Sequence, residues 1–194
     1  MYHVGVWTFV CVLVVGAAPA PSPGPVPTGA GSVVINEIAV GSFVELHNVS
    51  MSTVDIGRFE LRLCGAAGVT DTIHLSVGQA LAAGDFYLLA SSSFTGSGAD
   101  QGYAGVLPSG GVALYHLERG WADGAALIAD SPCGEGDPAA ACPGASTARD
   151  AVGTDTGRNA ADFSCQRMSP REPNEAGSQP AAASRLGAGL KAGR

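Results

Sequence analysis

Between residues 33 and 130 the chain alternates short apolar runs with turn-forming residues, the pattern of an all-β domain. The runs are VVINEI (33–38), FVELHN (43–48), FELRLC (59–64), DFYLLAS (85–91), GVALYHL (111–117) and AALIAD (125–130). Strict alternation is clearest at 59–64. There Phe59, Leu61 and Leu63 share one face of an extended chain, and Glu60, Arg62 and Cys64 share the other. In the second run Val44 and Leu46 alternate with Glu45 and His47. Gly41-Ser42, Asp55-Ile56-Gly57, Ala83-Gly84 and Ser109-Gly110-Gly111 separate the runs and supply the backbone freedom that strand connections need. No useful length of chain carries an apolar stripe of helical period. Six or seven short strands in about 100 residues predict a two-sheet β-sandwich.

The ends read differently. Residues 4–18, VGVWTFVCVLVVGAA, are uncharged. That run is shorter than the roughly 20 residues of a spanning helix and suits the apolar region of an export signal. Ala18-Pro19-Ala20 supplies small residues of the A-x-A form, so residues 1–20 are expected to be a signal peptide. Pro- and Gly-rich residues 21–32 are expected to be an extended linker. Residues 177–194 hold Leu186 and Leu190 as their only large apolar groups and are expected to be a disordered tail. The domain is therefore placed at 33–176, in a chain expected to be secreted, with no stable membrane span.

Charge narrows the classes. Of 194 residues, 14% are charged and 46% hydrophobic, and the net charge is −7. All seventeen acidic residues lie between Glu37 and Glu175, where seven arginines leave a net −10. The one lysine, Lys191, lies in the tail with Arg185 and Arg194. Nucleic acid is not an expected partner, because neutralising phosphates needs clustered Lys and Arg. The apolar content also argues against charge-driven disorder, and the composition against a coiled coil. Few lysines among abundant Ala, Gly and Arg suggest a bacterial chain of high-GC coding.

Of five cysteines, Cys11 lies in the leader. The remaining four, Cys64, Cys133, Cys142 and Cys165, are an even number in an exported chain and predict two disulfides. Three pairings are possible. The short loop GEGDPAAA between Cys133 and Cys142 favours a local bridge, which leaves Cys64 with Cys165. No C-x2-C pair suggests zinc.

Five stretches in order carry a family resemblance. VVINEIAVGSFVELHN and the turn VSMSTVDIGRFELR come first. LAAGDFYLLAS, LPSGGVALYHLERG and DTGRNAADFSCQRMSPREPN follow. Over residues 33 to about 175 the chain resembles the lamin-tail domain family, particularly its secreted bacterial members. The resemblance implies an immunoglobulin-like β-sandwich of about seven to nine short strands and a non-catalytic role. Phe59 stands where the family usually holds Trp, and the cysteine-bearing segment 131–150 is an insertion.

Candidate chemistry is sparse. Neither G-x-S-x-G nor H-E-x-x-H occurs. His47, His74 and His116 lie on or beside strands, where a solvent-facing or capping role is expected. Asp155-Thr156-Gly157 matches the aspartic-protease tripeptide, but that chemistry needs two such carboxylates. Glu37 and Glu45 would meet near the closed end of a hairpin, where structural glutamates are expected. Asp155, Asn159 and Asp162 offer oxygen ligands, so they are the weak candidates for Ca²⁺. Asn48-Val49-Ser50 is a glycosylation triplet, read as an Asn ending a strand at a turn. No catalytic or cofactor-binding residue is assigned.

The expectation is a secreted module that binds a protein or cell-envelope component. The alternatives are a small secreted hydrolase, or an accessory domain of one, and a calcium-stabilised extracellular module.

Overall fold

The apolar positions of the long strands meet in one core. Ile35, Ile38, Val44 and Leu46 project from one sheet, and Leu61, Leu63, Val112 and Leu114 from another, all almost fully buried. Truncating any of these leucines to Ala removes about 2–5 kcal/mol of stability, because the packed sheets cannot close over the void. The computed structural model describes residues 31–107 and 109–175. The leader read at 1–20, most of the linker read at 21–32 and the tail read at 177–194 lie outside them. No helix among the described residues is long and apolar enough to cross a membrane.

The chain is an all-β sandwich, as the alternation predicts. Twelve strands occur among the described residues: β1 (Val33–Ala39), β2 (Phe43–Asn48), β3 (Val54–Asp55), β4 (Phe59–Gly65), β5 (Gly68–His74), β6 (Ala80–Leu81), β7 (Phe86–Ser91), β8 (Gln101–Tyr103), β9 (Gly111–His116), β10 (Gly120–Ala126), β11 (Ser146–Ala148) and β12 (Ser164–Gln166). One sheet runs β12-β11-β1-β2-β7-β8 and the other β10-β9-β4-β5, while β3 pairs with β6. A helical turn, α1 (Asn159–Asp162), precedes β12.

Twelve exceeds the expected seven to nine because five of the strands have only two or three residues. Such pieces are too short to show periodicity. The seven-residue β5 was also invisible in the pattern. It is an edge strand whose residues face solvent except Ile73, so nothing requires it to alternate. The run at 125–130 is displaced as well. Its strand, β10, begins at Gly120 and ends at Ala126.

The two faces of the larger sheet are not apolar and wet, as simple alternation suggests. Every residue of β1 and β2 is buried. Ala39, Phe43 and Leu88 form a second apolar cluster with Phe94 packed against it. The segment around Ser169 to Asn174 crosses this same outer side through bonds to Asn36, Glu37 and Glu45.

Two disulfides are present, Cys64–Cys133 and Cys142–Cys165. This corrects the expected local bridge between Cys133 and Cys142 and the pairing of Cys64 with Cys165. Sheet geometry overrides loop length. Cys64 lies on the outer side of the smaller sheet, packed with Ala113 and Cys133. A Cβ on Gly124 would lie 2.6 Å from the Cys133 carbonyl oxygen, so only glycine lets the incoming segment lie against β10. Cys165 instead sits opposite Thr147 in the larger sheet, and the Thr147 hydroxyl lies 3.3 Å from Cys142 Sγ. Cys133 and Cys142 are thus bound to different sheets.

Candidate functional site

The densest polar grouping lies where β1, β10 and β11 converge. β11 pairs with β1 only through Glu37↔Ala148 and Ile38↔Thr147, which leaves the backbone of Ile35 without a strand partner on that side. Two side chains replace the strand. The Ile35 N–H donates to Asp123 Oδ2 at 2.6 Å, and Arg149 Nε donates to the Ile35 carbonyl at 2.9 Å. A buried backbone donor and acceptor are both satisfied in this way.

Asp123 reaches this place through an irregularity in β10. The register with β9 shifts between Trp121 and Asp123, which sets Asp123 opposite the core residue Leu114. Arg149 closes the arrangement. Its Nη2 donates to Asp123 Oδ1 at 2.8 Å and its Nη1 to the Thr154 carbonyl at 2.7 Å. Both side chains are wholly buried. The guanidinium also stacks on Phe163 at 4.4 Å, a use of its flat face that lysine could not reproduce.

More carboxylate gathers here than one guanidinium neutralises. Asp155 Oδ1 and Asp162 Oδ2 lie 3.4 and 3.3 Å from Arg149 Nη1. Glu135 arrives on the segment tethered by Cys133, and its Oε1 accepts from Trp121 Nε1 at 2.9 Å. Its Oε2 is buried without a hydrogen-bond partner. One carboxylate oxygen from each of Asp123, Glu135 and Asp155 lies within 4.8 Å of the other two. Burial pushes the Asp123 carboxyl up to about 7, against the pull of Arg149. Burial also raises Glu135.

The three residues read as oxygen ligands are divided by the fold. Asp155 joins Asp123 and Glu135. Asn159 is committed elsewhere: its Oδ1 accepts from the Ala126 and Glu135 amides, both at 2.9 Å, and its Nδ2 donates to the Gly124 carbonyl at 2.6 Å. Asp162 caps a turn, accepting from the Thr156 hydroxyl at 2.6 Å and from the Thr156 and Arg158 amides. In the Asp-Thr-Gly tripeptide, Asp155 accepts from the Gly157 amide at 3.1 Å, a local turn.

Glu37 and Glu45 form a second buried pair, directly opposite each other in the β1–β2 register. Asn36 is the extra residue of a β1 bulge beside them, and its Nδ2 donates to Glu45 Oε1 at 2.9 Å. The Ser169 amide donates to Glu37 Oε1 at 3.1 Å, and the Arg171 amide donates to Glu45 Oε2. Arg171 also pairs with Asp100. Burial pushes Glu45 up to about 7, and the facing Glu37 adds to the rise. Burial likewise raises Glu37. Every oxygen of this pair is engaged by backbone or amide donors, the pattern of carboxylates that anchor a crossing segment.

The remaining candidates have local partners. His47 is buried and stacked on Phe86 at 4.5 Å. His116 Nδ1 accepts from the Glu118 amide at 3.2 Å. His74 is exposed, 3.6 Å from Glu60. Asn48 is fully buried, and its Nδ2 lies within 3.0 Å of the Ser52, Leu81 and Ala82 carbonyls. A cavity of about 380 Å³ is lined by Val40, Ala145 and Met168 among others, with no carboxylate, imidazole or amine.

Asp123 and Glu135 were not singled out from the sequence. Asp123 did carry a signal, since a carboxylate preceding Gly124-Ala125-Ala126 sits at the edge of an apolar run. Glu135 gave only its proximity to Cys133, which acquires meaning once the disulfide partner is known. No protein-family model matches the chain, and no curated protein matches it.

Proposed function

We propose that this chain is an exported, non-catalytic module of the lamin-tail type that binds a protein or a component of the cell envelope. The observation that carries the reading is the pair of disulfides stapling the insert 131–150 to both sheets of a β-sandwich. Such cross-links persist in oxidising compartments and are rare in the cytosol, which agrees with the leader read at 1–20. Their placement also supports binding. The stretch from Cys133 to Cys142, held at both ends by covalent ties, presents a preorganised loop surface on a rigid scaffold. Beside it, Arg62 lies 3.6 Å over the Tyr115 ring and Trp121 packs edge-on against Tyr115. All three are partly exposed, the mix of residues favoured at contact surfaces.

The test is intact-mass measurement on protein secreted by its own host, before and after reduction, followed by capture from envelope and culture fractions. The reading expects a mass lacking the leader, a gain of four hydrogens on reduction, and a retained partner. A full-length chain with free thiols in the cytosol would overturn it.

A further inference from the structure

We infer that Asp123, Glu135 and Asp155 form a calcium-binding site at the junction of β10 with the disulfide-anchored segment. This goes beyond the binding reading and does not depend on it. The first support is geometric. One oxygen from each of the three carboxylates lies within 4.8 Å of the other two, close enough for small side-chain adjustments to bring all three onto one Ca²⁺ at about 2.4 Å. Mg²⁺ demands near-ideal octahedral geometry and gives up its waters reluctantly, so a largely closed group of carboxylates suits the larger ion better.

The second support is independent of the clustering. Glu135 is only 4% exposed, yet its Oε2 has no hydrogen-bond donor. A buried carboxylate oxygen without a donor is costly, and a hard cation satisfies it directly. The other oxygen is fixed by Trp121, so the side chain is aimed and not free to turn away. Charge points the same way. Asp123, Glu135, Asp155 and Asp162 surround the single guanidinium of Arg149, which contacts Asp123, Asp155 and Asp162 but makes no ion pair with Glu135 among the described residues. Arg149 lies against the Oδ1 atoms of Asp123 and Asp155; Asp123 Oδ2 takes only the Ile35 amide and Asp155 Oδ2 takes no hydrogen bond among the described residues, so each of these oxygens keeps a lone pair for a cation. Asp155 keeps a 13% exposed side chain, which gives an ion a route from solvent into an otherwise closed site. The ligands are all oxygens, the donor set of calcium and not of zinc or copper.

Terbium is the probe, because it takes calcium sites and its luminescence is sensitised by a nearby indole. Trp121 bonds the proposed ligand Glu135 itself. The oxidised protein should show saturable terbium luminescence on indole excitation, displaced by calcium at lower concentration than by magnesium. Millimolar calcium should raise the melting temperature by about 5–10 °C over chelator when it exceeds Kd about a hundredfold. Glu135→Gln keeps an acceptor for Trp121 and should abolish both responses while melting in chelator near the parent. Asp155→Asn retains the bond from the Gly157 amide and is the second variant should Glu135→Gln fold poorly. It should weaken calcium binding at least tenfold. Absent luminescence with an unchanged melt would overturn the site, as would a calcium response that survives in folded variants.

Discussion

Arg149 and Asp123 together occupy the position of a missing strand beside Ile35. Arg149 donates to the Ile35 carbonyl at 2.9 Å, Asp123 accepts from the Ile35 amide at 2.6 Å, and the two join through a 2.8 Å ion pair. The pair links β10 of the smaller sheet to β1 of the larger one. It therefore acts as a buried polar bolt between sheets whose shared core is apolar.

Removing one half of a buried pair exposes the cost of the other. Arg149→Met should lower stability by about 3–5 kcal/mol, measured by urea unfolding at neutral pH. Adding Asp123→Asn should recover at least about 1 kcal/mol, since it removes the orphaned charge while keeping an acceptor for Ile35. A double variant no more stable than the single would show that the ion pair is not what holds this junction.

The disulfide pattern is separable by trypsin, which cuts after arginine. With Cys64–Cys133 and Cys142–Cys165, unreduced peptides 63–119, 120–149 and 159–167 should run as one linked species. A local Cys133–Cys142 bridge would instead release 120–149 alone. Chain-entropy arguments give a loss of about 3 kcal/mol for opening the loop of separation 23 and about 4 kcal/mol for that of separation 69.

Glu45 makes stability depend on pH in a definite direction. Its carboxyl, ordinarily near 4.5, is pushed up to about 7 by burial, with Glu37 facing it and Arg171 nearby opposing the rise. The folded chain thus keeps a proton that the unfolded chain has already released across that interval. The stabilisation is complete below about 4.5, is lost as pH rises to about 7, and is flat above. The loss is on the order of 3 kcal/mol. Glu45→Gln should flatten the profile relative to the parent in urea melts between pH 4.5 and 8. Parallel profiles would rule the assignment out.

Arg171 sets two small effects against each other. Its φ of 65° is a left-handed conformation that costs a side chain about 1 kcal/mol, and its half-exposed pair with Asp100 returns about 0–1 kcal/mol. Arg171→Gly keeps the amide that holds Glu45 and relieves the backbone. Its stability should stay within about 1 kcal/mol of the parent. A larger loss would mean that the Arg171 side chain, and not its backbone, anchors the crossing segment.

The alternation of Phe59, Leu61 and Leu63 with polar neighbours, and of Val44 and Leu46 with Glu45, determined a sandwich. Period-two burial is a local property, written wherever a strand has one dry face. The hairpin placing Glu37 beside Glu45 was legible for the same reason, since a short turn joins adjacent strands. Four cysteines determined two cross-links but not their partners. Only the tertiary structure decided those, because pairing depends on which sheet each half-cystine meets. It also decided that Asp155 belongs with Asp123 and Glu135 while Asn159 and Asp162 serve backbone amides. These carboxylates are separated by up to 32 positions and converge through a bulge in β10, a disulfide and a turn after β11. No local pattern records such a meeting, since convergence of distant segments is a property of packing.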